Sequence, residues 1–418
     1  MHQPRLSSSH EFAAAAENLR QWLFQAALPL WWRVGADRAL GGYHERIDFA
    51  GRPVVLPRRS RVAARQAFCY REAGQLGWEG PWREAGRHAL DFLHQRFVRD
   101  DGTVISTVDQ DGSVLDARFD LYNQAFALLA YACGHGALDP DGGWQAQAYK
   151  LVETLRHGFA HPGGGFLEGR HGELPLRANP HMHLLEAALA WLAIDPHPLW
   201  REMADEIVAL CRERFIDRHT TALCELFAAD WTPVSGASSE VVEPGHHYEW
   251  AFLLDRWARL TGRDRPTEAP RLIAFADAYG VDRERRVAVN GIRPDGSVAD
   301  ATARLWPQTE RVRAYVIDRH EGDAVRLREA IESLSRYLDA PLPGLWYENL
   351  GSDGRFVVAA ACVSRTMNSS NRNQFRRQAP LRASYERAGR VATLLCTRWR
   401  SAVVGKKQTV QRPAIETA

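Results

Sequence analysis

The chain has 418 residues, 45% hydrophobic and 25% charged, an ordinary globular composition with room for a large core. A net charge of +2 gives no electrostatic reason to expect nucleic acid or an anionic membrane as partner, and no apolar run approaches the roughly 18 residues of a membrane span. Six scattered cysteines (Cys69, Cys133, Cys211, Cys224, Cys362, Cys396) include no CxxC pair, so a soluble protein of a reducing, cytoplasmic compartment is expected, as monomer or homodimer.

The first predicted element is a helix over 10–33. Glu11, Glu17 and Arg20 interrupt its apolar stretch, and Ser8 with Glu11 forms a capping box, which argues against a secretory leader. Six short segments then alternate apolar and polar residues around a turn, as small β-hairpins do. They are "GGYHERIDFAGRPV" from 41, "DGTVISTVDQDGSV" from 101, "GGGFLEGRHGELPL" from 163, "TALCELFAADWTPV" from 221, "NGIRPDGSV" from 290 and "GLWYENLGSDGRFV" from 344. Between them lie paired helical patterns over 59–78 and 81–98, 118–135 and 143–160, 178–194 and 197–215, 245–262 and 267–280, and 301–320 and 323–340, with a last pattern over 380–400. Leu184, Leu185, Ala188, Trp191 and Leu192 illustrate the apolar stripe.

Six such units predict an all-α protein, a closed (α/α)6 barrel of helix pairs linked by hairpins; the competing arrangement is an open solenoid. No strand–helix–strand alternation supports a Rossmann or TIM fold. The barrel is assigned to residues 1–354. Residues 355–418 read as an aberrant basic tail, with 11 Arg and 2 Lys against only Glu386 and Glu416.

Four inner helices place polar groups on one face near their starts. "RSRVAARQAF" offers Arg61 and Arg65, four apart, and "NPHMHLLEA" offers Asn179, His183 and Glu186 at i, i+4, i+7. "EPGHHYEW" offers His246, Glu249 and Trp250, and "LWPQTERVRA" offers Trp306, Glu310 and Arg313. Each has a plain alternative: a solvated arginine face, satisfied core histidines, a buried Glu310–Arg313 pair. Four such faces at one barrel mouth, mixing aromatic and polar groups, suit a sugar, whose ring has apolar faces and polar edges. An imidazole titrates near neutrality, so His246 is the candidate general base, with Glu249 one turn away as its orienting partner and Trp250 packing. No nucleotide-binding motif occurs, and the histidine spacings match no metal-binding pattern, so neither cofactor nor metal is expected.

Together, "RVAARQ", "NPHMHLLEA", "EPGHHYEW" and "WPQTE", in this order over about residues 10–350, resemble the N-acylglucosamine 2-epimerase superfamily. That superfamily includes N-acylglucosamine and cellobiose 2-epimerases and the mannose and sulfoquinovose aldose–ketose isomerases. The resemblance implies an (α/α)6 barrel and cofactor-free chemistry on a small sugar. His246 with Glu249 removes the proton beside the carbonyl, and Arg61 holds the enediolate. His183, Asn179, Glu186, Trp306 and Glu310 contact the substrate. It also implies a second catalytic histidine beside a tyrosine near the C-terminus. Here the last histidine is His320, and "TMNSSNRNQFRRQ" stands where that helix would start. The last helical pair is therefore expected to be degraded or written in another reading frame, with a real divergence as the alternative. Epimerisation would be crippled and single-base isomerisation partly retained. The motifs look most like the mannose isomerase branch. A sugar 2-epimerase, a glycoside hydrolase using Glu249 and Glu310, and a non-catalytic sugar-binding protein are the alternatives.

Overall fold

The structure, a computed structural model, describes residues 5–236, 240–318, 323–357, 362–363 and 391. The N-terminal helix α1 (Arg5–Gln21) runs on through a π-helical stretch, the turn α2 (Leu28–Leu30) and a second π-helical stretch to Gly35. It starts earlier than the capping box at Ser8 implies, so Ser8 lies inside the helix. Pairs of helices follow: α3 (Ser60–Gln75) and α4 (Trp82–Phe97), α5 (Leu121–Cys133) and α6 (Trp144–Phe159), α7 (Ala178–Leu192) and α8 (Pro198–Leu210). Then come α9 (Pro244–Thr261) and α10 (Glu268–Tyr279), and α11 (Leu305–Ile317) and α12 (Asp323–Leu338).

Burial separates the two members of each pair. In α4 the buried residues Ala85, Ala89, Leu90, Leu93 and Phe97 recur every three or four positions, one stripe on an otherwise exposed helix. In α9 every residue from Pro244 to Ala258 is buried. Helices buried all round must stand inside a ring of amphipathic ones. The inner helices α3, α5, α7, α9 and α11 pack each against the next, the outer helices lie behind them, and α12 returns to α1. The fold is the expected (α/α)6 barrel. The predicted pattern over 380–400 falls outside the described residues except Val391, which is helical and buried in the main core.

Short strands stitch the repeats together at one end. Arg58–Arg59, just before α3, pairs antiparallel with Thr107–Val108 of the next hairpin. Leu176–Arg177, before α7, pairs with Leu226–Phe227, and Ala303–Arg304, before α11, with Asn349–Leu350. The helix expected from 301 therefore begins only at Leu305, because residues 303–304 belong to a strand. The third segment, from 163, is joined to its neighbours by such pairs and by the Ala160–Phe166 bridge; it is not a self-contained hairpin among the described residues.

A side chain in the first turn ties each of four inner helices to its own hairpin. Gln124 Oε1 accepts from the Val104 N–H at 2.8 Å, and its Nε2 donates to the carbonyls of Val104 and Asp120. Gln308 holds Ala288 and the Arg304 carbonyl in the same way. At the corresponding places stand His181 and His247. Their Nε2 atoms accept from the N–H of Phe166 (2.9 Å) and Leu223 (3.0 Å), and their Nδ1 atoms lie 2.9 Å from the carbonyls of Arg177 and Glu243. Both rings must be neutral with the proton on Nδ1. Burial pushes both down to about 4 from the ordinary histidine range.

Candidate active site

The stitched end of the barrel carries the first turns of all five inner helices, and contacts join the residues chosen from the sequence in separate sets: Arg61 with α5, His183 with Glu186 and Glu249, and His246 with Trp306. At the rim, half-buried Arg61 of α3 donates from Nη1 to Asn123 Oδ1 of α5 at 3.1 Å, with its guanidinium 5.9 Å from the Tyr122 ring. Burial lowers the pKa of this guanidinium. One turn deeper, Arg65 is fully buried. It lies 3.8 Å over the Phe126 ring and donates to the Tyr122 hydroxyl at 2.5 Å. The solvated-arginine alternative thus fails for Arg65. Asn179 of α7 is half-buried at the same level as Arg61.

His183, two turns into α7, is buried with its ring edge-on to Tyr122, centroids 4.8 Å apart. Its Nδ1 lies 3.3 Å from Glu186 Oε2 and 3.8 Å from Glu249 Oε1. These three residues bring potential ligand atoms within 4.8 Å of one another, a spacing a cation could span. Arginines already balance this region. Arg313 Nη2 is 3.9 Å from Glu186 Oε1, its Nη1 donates to Glu310 Oε2 at 2.7 Å, and it stacks 4.0 Å from the Phe252 ring. Arg256, buried beside Glu186 and Glu72, has its pKa pulled down to about 10 by burial against those carboxylates' opposing pull. The plain alternative for Glu310, a buried pair with Arg313, is what forms.

His246 sits in the first turn of α9. Its Nδ1 lies 2.7 Å from Glu225 Oε1, and its ring rests against Trp306 of α11, centroids 5.1 Å apart and tilted by 38°. The orienting carboxylate on Nδ1 is thus Glu225 of the hairpin, and the role expected of Glu249 is corrected. Glu249 is a full turn deeper on α9 and reaches towards His183, whereas Glu225 stands level with the first turn. Trp250 packs in the core against Phe215, as expected. Glu225, Tyr122, Asn123 and Arg256 were missed by the sequence reading. Only "DLYN", an inner-helix start like the other four, carried a signal for Tyr122 and Asn123.

The Pro-Gly step ahead of His246 has a packing reason. A Cβ on Gly245 would lie 2.3 Å from Trp306 Cη2 and 2.4 Å from its Cζ3, so only glycine lets the indole edge come this close to the start of α9. Gly245→Ala is expected to push Trp306 aside, destabilising the fold by about 1–3 kcal/mol and raising KM roughly tenfold, an estimate for a displaced ring platform. A lower denaturation midpoint with unchanged m-value, measured with the sugar kinetics, checks this.

The profile of the N-acylglucosamine 2-epimerase (GlcNAc 2-epimerase) family matches residues 41–365. The chain belongs to this family. A relative from Rhizobium meliloti (strain 1021), named mannose-6-phosphate isomerase, is 41% identical over 363 residues, covering 84% of this chain and 93% of the relative. A cellobiose 2-epimerase from Bacteroides fragilis is 25% identical over 373 residues, 81% of this chain and 91% of the relative. A solved D-mannose isomerase superposes with a TM-score of 0.76 at 18% identity, covering 94% of this chain and 99% of that one, a likeness of fold. This epimerase-family chain thus has sugar isomerases and epimerases as its relatives, which supports an enzyme with a small sugar as substrate. Among the described residues no helix is long and apolar enough to cross a membrane.

Proposed function

We propose that the protein is a cofactor-free aldose–ketose isomerase acting on mannose or a close relative. The observation that carries this reading is the His246 imidazole, held at Nδ1 by Glu225 and flanked by Trp306. Such a ring presents Nε2 as a base. The sugar's apolar face rests on Trp306, and its polar edges meet Asn179, His183, Glu186 and Glu310. His246 takes the C2 proton of the open-chain aldose. Arg61 stabilises the enediolate oxygens as charge develops on them. Return of the proton to C1 from the same imidazole gives the ketose.

This last step favours isomerisation over 2-epimerisation. A 1,2-shift can use one base on one face, whereas epimerisation needs a proton delivered from the other face. The sequence holds no histidine after His320 to deliver it. Residues 355–418, whose described members Phe356, Cys362–Val363 and Val391 join the barrel, would then limit turnover without abolishing it. The runner-up is a sugar 2-epimerase of N-acylglucosamine or cellobiose type, and beyond it a non-catalytic sugar-binding homologue.

The test is incubation with mannose, mannose 6-phosphate, N-acetylglucosamine and cellobiose in heavy water, following products and exchange by NMR. Fructose labelled at C1 from mannose is expected. The rim arginines Arg59, Arg177 and Arg304 are engaged by Glu45, Glu168 and Glu243, so free mannose is expected to outcompete its 6-phosphate. Exchange at C2 with epimer and no ketose would move the assignment to epimerase; no exchange on any sugar would leave only binding.

A further inference from the structure

One position of the hairpins serves a single task in three repeats and differs in two: before α5 it is Ser106, bonded to Asn123 Nδ2 and the Arg118 carbonyl, and before α9 it is Glu225. Two residues beyond the strand residues Tyr43, Phe166, Leu223 and Ala288 stand Glu45, Glu168, Glu225 and Asn290. Glu45, Glu168 and Asn290 share a structural task. Each receives the backbone N–H and the guanidinium Nε of the arginine that precedes an inner helix: Arg59 (2.8 and 2.8 Å), Arg177 (3.0 and 2.9 Å) and Arg304 (2.9 and 3.1 Å). Ahead of α9 that arginine is replaced by Glu243, which instead pairs with Arg304 at 2.7 Å. Glu225 is thereby relieved of the structural task, and its carboxylate turns to His246 Nδ1.

We propose that Glu225 is the positioning residue that fixes the tautomer and ring plane of His246, so that Nε2 is the atom offered to the sugar; this rests on the reading of His246 as the base. The pedestal is rigid. The Glu225 carbonyl accepts from Ala178 N at the start of α7, the following residues pair with Leu176–Arg177, and Leu223, two residues back, is bound by His247. One strand therefore holds both members of the His246–His247 pair, the first by a carboxylate and the second by a backbone N–H. A carboxylate on Nδ1 requires the proton there, makes Nε2 the basic nitrogen, and stabilises the imidazolium formed once Nε2 has taken the substrate proton.

Other charged groups lie near His246 in the chain. Glu249 follows on α9, and Glu243 precedes it but is paired with Arg304. From α11 the Trp306 ring packs on His246, while His183 of α7 is turned to Glu186 and Glu249, and Glu310 of α11 to Arg313. Glu225 is the carboxylate at 2.7 Å. The neighbouring first-turn dipole opposes protonation of the ring, which makes a close anion necessary for a competent base.

The experiment compares the full-length wild type with Glu225→Ala and Glu225→Gln in two readouts. In kinetics on mannose, Glu225→Ala is expected to lower kcat about 100-fold with KM within threefold. Glu225→Gln keeps an acceptor but not the charge, and is expected to move the acid limb of the pH–rate profile about one unit lower. In ¹⁵N NMR of histidine-labelled protein, with His246 assigned by His246→Asn, the wild type should show Nδ1–H, and Glu225→Ala a mixture of tautomers. A wild-type Nε2–H tautomer, or variants that keep wild-type kcat, acid limb and tautomer, would overturn the proposal. If the Nδ1–H signature and its loss appear but no sugar is turned over, the assignment of Glu225 stands and the isomerase reading falls.

Discussion

His246→Asn is expected to lower kcat on mannose by about 10³-fold, within the range a positioned general base contributes, while KM changes less than fivefold and the melting temperature stays within a few degrees. Asparagine keeps a polar group near Glu225 but cannot accept and carry a proton between two carbons. Trp306 loses a neighbouring ring and keeps its seat on Gly245. Exchange of the C2 hydrogen in heavy water is the sharper measurement, because it reports deprotonation even when product release is slow. If exchange persists at the wild-type rate, another group removes the proton and His246 is a binding residue. His183 is the natural competitor, since it stands on the facing helix with two carboxylates near its Nδ1. His183→Asn should raise KM more than it lowers kcat if it only contacts the sugar.

The barrel was legible in the sequence because its two kinds of helix leave different marks. Outer helices such as α4 show a single apolar stripe, and inner ones such as α7 are apolar almost throughout; a regular beat of hairpins between them implies closure. The site was legible where residues share a helix. Arg61 with Arg65, or Trp306 with Glu310, are neighbours by spacing alone. Partners supplied from another element left no such mark. Glu225 lies 21 residues before His246 on a hairpin, and the sequence reading settled on the nearer carboxylate of Glu249. The buried pairing of Arg313 with Glu310 was one of the two readings their i, i+3 spacing allowed, and only the burial of both side chains decides between them. The histidine pairs "HMH" and "HHYE" were the hardest to divide. In each, one ring faces the site and the other braces the helix. The comparison that separates them is internal: His181 and His247 stand at the offset where other repeats carry Gln124 and Gln308.

That comparison yields the second large effect. Stability should fall as pH drops from 7 to 5, and the double substitution His181→Gln/His247→Gln should remove most of the fall. Both imidazoles bind their proton at about 4 in the folded chain, against about 6.5 when unfolded. Their contribution is therefore complete above the unfolded value and is lost as pH falls towards 4, because the unfolded chain takes up protons that the folded one refuses. Linkage gives about 2 kcal/mol for each ring between pH 7 and pH 5, hence about 4 kcal/mol for the pair, at one pH unit per roughly 1.4 kcal/mol. The cause is physical at both places. A second ring proton would turn Nε2 from acceptor to donor against the N–H of Phe166 or Leu223, inside the aromatic packing of Phe166, Phe215 and Trp231 or against Phe275. Glutamine offers the same acceptor and donor without a titrating group, as Gln124 and Gln308 already do. The double variant is expected to match the wild type at pH 7 within about 1 kcal/mol, the net worth of one hydrogen bond. It should retain only the shallower slope left by His44 and His88, whose partial burial also lowers their proton affinity. His247→Leu supplies the contrast: stranding the buried Leu223 N–H should cost about 1–3 kcal/mol at every pH. Urea denaturation of the three proteins at pH 5, 6 and 7 decides it. A wild-type slope undiminished in the double variant would place the acid sensitivity elsewhere and leave the two histidines as ordinary core residues.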